Sequence, residues 1–340
     1  MNMKDVRGMM LLSKHIYFDM NVGFTYTLTN ITRRLIQKAL PIDNPLVANL
    51  NGVRIRMLTK WFEETFKTNL LAWHSVQETA IPFHDSDEAP IWMMWLDGVA
   101  TIPSKFQPFI DSIKRNNPDR PLIIVDFDEV QKLTQVPEVI LSRVRDGSLR
   151  NAHLSDVLRF LLLEKYGGVW FDLTIFQVRP IPDNVFAVPF WSVKDLDYFP
   201  YATAMPCGLK WQVYAMASQP HALFNRIMID LYCEYWKRYD FVADYFLTYY
   251  LALLARSVPA VEKSYERVVK NNTKCEQVNA LLQTNRPLGD LRSIDAVVSP
   301  DTWLYKGNSH LDSYMERVEL RIFDYVATAI ESEGETRSWQ

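Results

Sequence analysis

The stretch Asn151–Thr174, which reads NAHLSDVLRFLLLEKYGGVWFDLT, decides the fold more than any other part of the chain. Its apolar spacing predicts a helix over Ser155–Tyr166, with Ser155 as the N-cap. Gly167-Gly168 would end that helix, because glycine adopts the left-handed conformation common at helix ends. The run that follows, Val169–Val178 (VWFDLTIFQV), predicts a buried strand.

Two apolar runs upstream of this stretch also predict buried strands. They are Ile91–Leu96 (IWMMWL) and Pro121–Phe127 (PLIIVDF). Helices are predicted over Phe106–Asn116 and Val136–Asp146. Strand, helix, strand, helix, helix and strand in this order predict an α/β fold with a parallel sheet.

Helical patterns dominate the rest of the chain. The clearest are Val53–Leu71, Leu223–Arg238 and Asp244–Arg256, whereas Val297–Tyr305 looks extended and Met315–Ile330 is mixed. We therefore expect a helical N-terminal extension over residues 1–85, an α/β domain over 86–320 and a C-terminal tail over 321–340.

The composition excludes several classes of protein. The 340 residues include 37 Lys and Arg against 40 Asp and Glu, which argues against a general nucleic-acid binder. The three cysteines are far apart in sequence and predict neither a zinc ribbon nor a disulfide framework, so a reducing, cytoplasmic location is expected. The sequence has no GxxxxGK[ST], GxGxxG, HExxH or GxSxG motif, which disfavours kinases, nicotinamide dehydrogenases, zincins and α/β-hydrolases.

The chemistry-bearing residues fall within the same decisive stretch. Asp156 and Arg159 are three residues apart and share a helix face, where they could hold an anion or a ribose hydroxyl. Asp172 is predicted to lie in the strand, and ligands of open α/β sheets bind at the carboxyl ends of strands. Simpler interpretations stay open, because the first two could be a plain intrahelical pair and Asp172 could cap a turn.

Paired carboxylates that could bind a metal occur elsewhere too. The pairs are Asp85 and Asp87, Asp126 and Asp128, and Asp195 and Asp197. The first and third lie in loop-like sequence. Asp126 and Asp128 follow a predicted strand, so this pair is the main alternative to Asp172 and Thr174. A threonine hydroxyl is a weaker ligand for a hard cation than a carboxylate.

The segment SDVLRFLLLEKYGGVWFDLT resembles glycosyltransferases of the capsular polysaccharide synthesis type. These are DXD-type sugar transferases related to the yeast mannosyltransferase-like enzymes and, more remotely, to the clostridial glucosylating toxins. IWMMW, SIKRNN and Val136-Pro137-Glu138 match the same family in order, over about residues 90–182. The resemblance implies a GT-A-like, Rossmann-type domain that binds a nucleotide-sugar.

The resemblance also implies roles for individual residues. Asp156 and Arg159, together with Ser155 and Tyr166, would bind the donor, and Asp172 with adjacent Thr174 would hold a divalent metal, Mn²⁺ or Mg²⁺. Trp92 or Trp95 would pack on the base; being three apart, they face opposite sides of a strand, so at most one can line the pocket. A C-terminal loop and one helix start add the remaining candidates: Lys306, Asn308 and Ser309 for the donor, His310 for the metal, and Asp244 for orienting the acceptor.

The activity implied is transfer of a sugar from a nucleotide-diphosphate donor to a saccharide or lipid-linked saccharide acceptor in capsule or exopolysaccharide assembly. Metal-assisted transfer with retention of anomeric configuration is expected. The alternatives are a catalytically silent sugar-nucleotide binder or scaffold protein and a sugar-phosphate transferase. Arg33, Arg34 and Lys38 lie among apolar residues, which suggests peripheral contact with the inner face of a membrane.

Overall fold

A mixed sheet forms the centre of the fold in the computed structural model, which describes residues 3–42, 44–282 and 296–338. The outermost residues of the predicted extension and tail, 1–2 and 339–340, lie outside the described residues. In the described part, five strands pair in the order β2-β1-β3-β6-β5. Their bounds are β1 Ile91–Met94, β2 Leu122–Val125, β3 Gly168–Phe171, β5 Phe190–Ser192 and β6 Ala215–Ser218.

The three predicted strands form the parallel half of this sheet. β1 lies parallel to β2 and to β3, with Ile91 opposite Leu122 on one side and Val169 on the other. β6 pairs antiparallel with β3, and β5 pairs antiparallel with β6 at the edge of the sheet. The α/β prediction is therefore confirmed. The antiparallel strands were missed because they are short, and Ala215–Ser218 (AMAS) has no large β-branched or aromatic residue.

The prediction of one continuous strand over Val169–Val178 was wrong, because the structure has two strands there. The segment divides into β3 and β4 (Ile175–Gln177), and β4 pairs antiparallel with β7 (Leu304–Lys306) in a second, two-stranded sheet. The chain turns between them, where the Ile175 N–H donates to the Asp172 carbonyl oxygen at 3.0 Å. An unbroken apolar run hides such a break because both halves are buried.

Helices surround the sheet and form the N-terminal region. Before the sheet, the structure has α1 Met3–Val22, α2 Phe24–Ile36, α3 Pro45–Thr65 and α4 Lys67–Trp73. Within and after it, the helices are α5 Gln107–Asn116, α6 Phe127–Leu133, α7 Glu138–Arg145, α8 Asn151–Tyr166, α9 Leu223–Arg238, α10 Leu247–Arg256, α11 Pro259–Glu266, α12 Gln277–Leu282 and α13 Ser313–Ser338. None of the described helices is long and apolar enough to cross a membrane.

The N-terminal helices pack on the core that α8, α9 and α10 build. Phe62 of α3 lies at 0% exposure and stacks on Tyr250 of α10, with ring centroids 5.3 Å apart. Leu58 and Phe66 are buried in the same cluster. Burying each large apolar side chain contributes roughly 1.5–3 kcal/mol. The predicted helical extension is therefore joined to the rest of the fold through a shared hydrophobic core.

Met315–Ile330, whose sequence pattern is mixed, lies within a single helix, α13. This helix crosses the boundary that was predicted at residue 321 between the α/β domain and the C-terminal tail. Ile322, Phe323 and Val326 are fully buried on the other side of the sheet. The Phe323 ring stacks on Phe176 of β4 at 4.8 Å. This packing places residues 322–326 in the body of the fold and fixes the second sheet against it.

Candidate active site

Asp172 stands in the turn between β3 and β4, at the carboxyl end of β3. Its backbone N–H donates to the Tyr214 carbonyl at 2.9 Å, and its own carbonyl accepts from Ile175. The Trp170 indole N–H donates to the carboxylate at 3.0 Å. The side chain is 31% exposed. The turn therefore holds a partly exposed carboxylate at the sheet edge where open α/β sheets bind ligands.

Arg159 lies beneath this carboxylate and is 4% exposed. Its guanidinium contacts Asp156 at 3.0 Å and Asp172 at 3.8 Å, and it donates to the Val213 carbonyl at 2.6 Å. It also lies over the Trp170 ring, 4.7 Å from the centroid. A buried guanidinium shared by two carboxylates and an aromatic face is held in one position.

Asp156 completes the buried side of the site. Its carboxylate accepts from the Thr248 hydroxyl at 2.6 Å and lies 3.7 Å from His153 Nδ1. Burial alone would raise the pKa of this carboxyl, but the Arg159 charge and the hydrogen bonds from His153 and Thr248 outweigh it. The pKa therefore lies below its ordinary value, and Asp156 is a fixed negative charge at neutral pH.

Lys306 approaches Asp172 from the opposite side. Its ammonium lies 3.6 Å from Asp172 Oδ2 and donates a hydrogen bond to the Thr174 hydroxyl. The pairing of β7 with β4 brings these residues together across 132 positions of sequence. The site thus gathers Asp156, Arg159, Asp172, Thr174 and Lys306, all of which were predicted from the sequence.

Glu276 was missed by the sequence reasoning. It is 2% exposed, accepts a hydrogen bond from the Asn279 amide at 2.8 Å, and lies close enough to Lys306 for their charges to interact. Burial raises its pKa to about 7 in spite of that lysine. The surrounding sequence, KCEQVN, has no motif that could have indicated this position.

The loop after β7 is anchored mainly through backbone groups. The Asn308 N–H donates to Glu319 at 2.8 Å, and its side-chain oxygen accepts from the His310 N–H at 2.9 Å. The Ser309 carbonyl accepts from Lys105 at 2.9 Å. The His310 side chain is exposed. The structure therefore gives these three residues contacts within the loop, with Lys105 and with α13, and no contact with Asp172 among the residues that it describes.

The two candidate tryptophans occupy different places. Trp92 is 2% exposed, its indole N–H donates to the Gly167 carbonyl, and its ring packs on Tyr166 at 5.7 Å. Tyr166 itself lies at the far end of α8 and donates to the Leu133 carbonyl. Both residues are therefore packed away from Asp172. Trp95 follows the carboxyl end of β1, and its indole N–H donates to the Thr101 hydroxyl at 3.0 Å. It is partly exposed, so of the two candidates it is the one nearer solvent.

Ser155 and Asp244 are placed differently from their predicted roles. The helix begins at Asn151 rather than Ser155, because the buried Leu154 continues its apolar face, so Ser155 is interior and accepts from Arg159 at 3.4 Å. Asp244 forms an ion pair with Arg54, and its other oxygen accepts from the Phe246 N–H at 2.8 Å. Both oxygens of this carboxylate are engaged within the protein.

The competing carboxylate pairs have structural partners. Asp126 caps α6 in a reciprocal capping box with Glu129, and Asp128 is exposed. Asp87 pairs with Arg120, while Asp197 pairs with Lys270. Among the described residues, no group of three or more His, Cys, Asp and Glu could hold a metal ion. Asp172 is therefore the candidate carboxylate ligand for a divalent metal. The Thr174 hydroxyl is already engaged by Lys306, so further ligands would have to come from the donor's phosphates.

The geometry defines a class of protein: an α/β protein whose carboxylate is held between two cations at the ligand-binding edge of its sheet. The chain belongs to the capsular polysaccharide synthesis protein family, whose model matches residues 50–287. The resemblance identified from the sequence is thereby confirmed.

Individual proteins with known descriptions are also similar to the chain. It is 27% identical over 136 residues to the Probable glycosyltransferase FCK3 of Fusarium pseudograminearum, covering 36% of this chain and 32% of that protein. It is 28% identical over 109 residues to the Glycosyltransferase afumC of Aspergillus fumigatus, covering 29% and 28%. The match thus spans at most 32% of the length of either curated relative. The solved PaToxG Glycosyltransferase aligns over 81% of this chain and 97% of its own, at 15% identity and a TM-score of 0.39.

Proposed function

We propose that this protein is a glycosyltransferase with a GT-A-like donor site, moving a sugar from a nucleotide-diphosphate donor to a saccharide acceptor in polysaccharide assembly. The observation that supports this most directly is the Asp172 carboxylate held between Arg159 and Lys306 at the carboxyl end of β3. Its membership of the capsular polysaccharide synthesis family supports the same proposal.

The chemistry follows from the leaving group. A nucleoside diphosphate departs with growing negative charge, and a positive charge placed beforehand stabilises that charge in the transition state. Lys306 is 20% exposed and is therefore the cation that the diphosphate can reach. Arg159 is buried and already engaged, so we assign it the role of positioning Asp156 and Asp172.

A divalent metal remains part of the proposal. Asp172 would be its ligand from the chain, and the ion would supply further charge neutralisation at the diphosphate. Because no three metal-binding side chains group together in the described part of the chain, we expect weak binding of the metal without the donor. Transfer with retention of configuration, carried out on an acceptor hydroxyl, also remains a proposal.

The test is turnover. Purified protein is incubated with a panel of nucleotide sugars, and release of nucleoside diphosphate is followed with and without saccharide acceptors. We expect one donor to turn over in the wild type. Binding without turnover would favour the silent sugar-nucleotide binder, and phosphate retained in the product would favour a sugar-phosphate transferase.

The α2 helix supports a proposal of peripheral membrane contact. Phe24, Leu28, Ile31 and Leu35 recur at helical spacing and are 49–83% exposed, which is unusual for large apolar side chains. Basic residues adjoin them, as expected of an interfacial helix. Flotation with anionic liposomes tests this: the wild type should float and Leu28→Ser with Ile31→Ser should not. A folded wild type that stays at the bottom of the gradient contradicts it.

A further inference from the structure

A cavity of about 390 Å³ lies between the N-terminal helices and the segment before α10. Three arginines line it: Arg33 and Arg34 from α2 and Arg54 from α3. Asp244 and Tyr245 line its other wall. None of its lining residues belongs to the group around Asp172.

The charges in this cavity are not balanced among the described residues. Arg54 and Asp244 neutralise each other as an ion pair. Arg33 donates only to neutral oxygens, those of Gln37 at 2.6 Å and Asn30 at 3.1 Å. Arg34 makes no side-chain hydrogen bond or ion pair with any described residue. Neither of these two guanidinium groups forms an ion pair with a carboxylate among the described residues, although both interact electrostatically with Asp19.

Buried donors in the cavity also lack partners. The Nε atoms of Arg33 and Arg54 are buried and have no hydrogen-bond acceptor in the described part of the chain. Arg54 is 4% exposed. Buried N–H groups almost always find an acceptor, so these two point to a group that is supplied from outside. The planar fork of arginine matches phosphate oxygens well.

Asp19 is the neighbouring carboxyl group, and its charge interacts with those of Arg34 and Arg33 without forming an ion pair with either in the described part of the chain. The Asp19 carboxylate is buried, accepts from the Asn30 amide at 3.0 Å and has a pKa raised mainly by burial. His15 also lines the cavity, and burial followed by the Arg34 charge lowers its pKa. Burial, followed by the charges of Arg54 and Arg34, lowers the pKa of Arg33 to about 10. An anion would relieve this crowding of positive charge.

The cavity is a short distance from the candidate donor site. Tyr245 of its wall meets the His153 ring edge-on at 5.9 Å, and His153 lies 3.7 Å from Asp156. We propose that this arginine pocket, lined by Arg33, Arg34 and Arg54, binds a phosphate or diphosphate group carried by the acceptor. The acceptor role rests on the proposed transferase function, whereas the phosphate site stands on the cavity alone.

The first experiment measures inorganic pyrophosphate binding by calorimetry in the presence of EDTA. Arg34→Gln changes an exposed residue, so it should fold normally, and we expect it to weaken binding at least about tenfold, as the loss of one charge-assisted contact does. Arg33→Gln should do the same. Arg56→Gln, an exposed arginine of α3 outside the pocket, is the matched control and should bind as the wild type. Equal affinity in all four proteins, or no binding by the wild type, overturns the proposal.

The second experiment identifies the source of the phosphate. Phosphatidylcholine vesicles with and without phosphatidic acid are sedimented with each protein, and pyrophosphate is added as competitor. Binding that requires phosphatidic acid and Arg34 and is displaced by pyrophosphate indicates a lipid-borne phosphate. Pyrophosphate binding without vesicle binding indicates a soluble phosphorylated acceptor.

The two proposals fail separately. A wild type that binds pyrophosphate through Arg34 but turns over no nucleotide sugar keeps the phosphate site and loses its acceptor role. Arg34→Gln that retains nucleoside diphosphate affinity while losing pyrophosphate affinity shows that the pocket and the donor site are distinct. A parallel loss of both ligands contradicts a separate site.

Discussion

Two charged regions of this protein lie close together and differ in how their charged side chains are paired. Around Asp172, the carboxylates and cations contact one another, so Arg159 and Lys306 have partners within the fold. In the arginine pocket, Arg33 and Arg34 form no ion pair with a carboxylate among the described residues. A closed network holds its groups in fixed positions, whereas the buried Nε atoms of Arg33 and Arg54 have no acceptor among the described residues, which points to a ligand from outside. The comparison distinguishes the region that we propose for chemistry from the region that we propose for binding.

The largest expected effect is on turnover. Asp172→Ala removes the carboxylate between the two cations, and we expect the turnover rate to fall about 100-fold or more, as for loss of an electrostatic group in an active site. Stability should change little because the side chain is 31% exposed. Release of nucleoside diphosphate measures the rate. A wild-type rate in this variant would remove Asp172 from the site.

Arg159→Ala tests how far the closed network depends on its buried cation. Asp156 would be left buried without its main partner, which costs about 3–5 kcal/mol of unfolding free energy. Chemical denaturation at pH 7 measures this. Adding Asp156→Asn removes the stranded charge and should recover part of the loss. If the double variant is no more stable than the single one, the network is not held by this ion pair.

Glu276→Gln tests the buried carboxyl beside Lys306. Burial raises the pKa of Glu276 in the folded protein to about 7, against an ordinary value of 4.5. The protonated carboxyl therefore stabilises the fold fully below about pH 4.5, and this stabilisation is lost as the pH rises through 7. At pH 8 the variant should be more stable than the wild type by about 1–3 kcal/mol. The difference between the two unfolding curves from pH 5 to 8 is the measurement, because Glu319 has a similarly raised pKa in both proteins. A difference that is constant with pH contradicts the shift.

Asp126→Ala has the smallest expected effect. Asp126 caps α6, so its removal should cost about 1 kcal/mol of stability. Nucleotide-sugar turnover should not change, since the carboxylate serves the helix. Thermal unfolding and turnover of the same preparation give both values. Lost turnover with little lost stability would make Asp126 and Asp128 the metal site instead of Asp172.

Much of the fold could be predicted because its signals are local. The parallel strands are short apolar runs bounded by Pro and Gly, and α8 is a long apolar segment that ends at Gly167-Gly168. The break at Asp172 could not be predicted, since β4 leaves the first sheet only because β7, far away in sequence, pairs with it. The interpretation of Met315–Ile330 as mixed was wrong, since its buried residues Val318, Ile322, Val326 and Ile330 recur at helical spacing.

The part of the candidate site that lies within the segment Asn151–Thr174 could be predicted from the sequence. Asp156, Arg159 and Asp172 lie within one continuous segment, and the structure brings them together. Trp92 and Tyr166 belong to the same motif region but serve packing, which sequence spacing does not distinguish from ligand contact. The pairing of Asp244 with Arg54 joins residues 190 positions apart, and both residues line the arginine pocket. Such long-range charge placement has no local signature.

The most direct test of the central claim is thermal unfolding of the wild type and Lys306→Met with a panel of nucleoside diphosphates. A ligand at about 100 times its Kd adds roughly 2.7 kcal/mol, which shifts the midpoint of a protein this large by about 2–4 °C. We predict such a shift for one base in the wild type and in the surface control Lys132→Met, and its loss in Lys306→Met. An equal shift in Lys306→Met, or no shift with any nucleotide, would contradict the donor site proposed at this edge of the sheet.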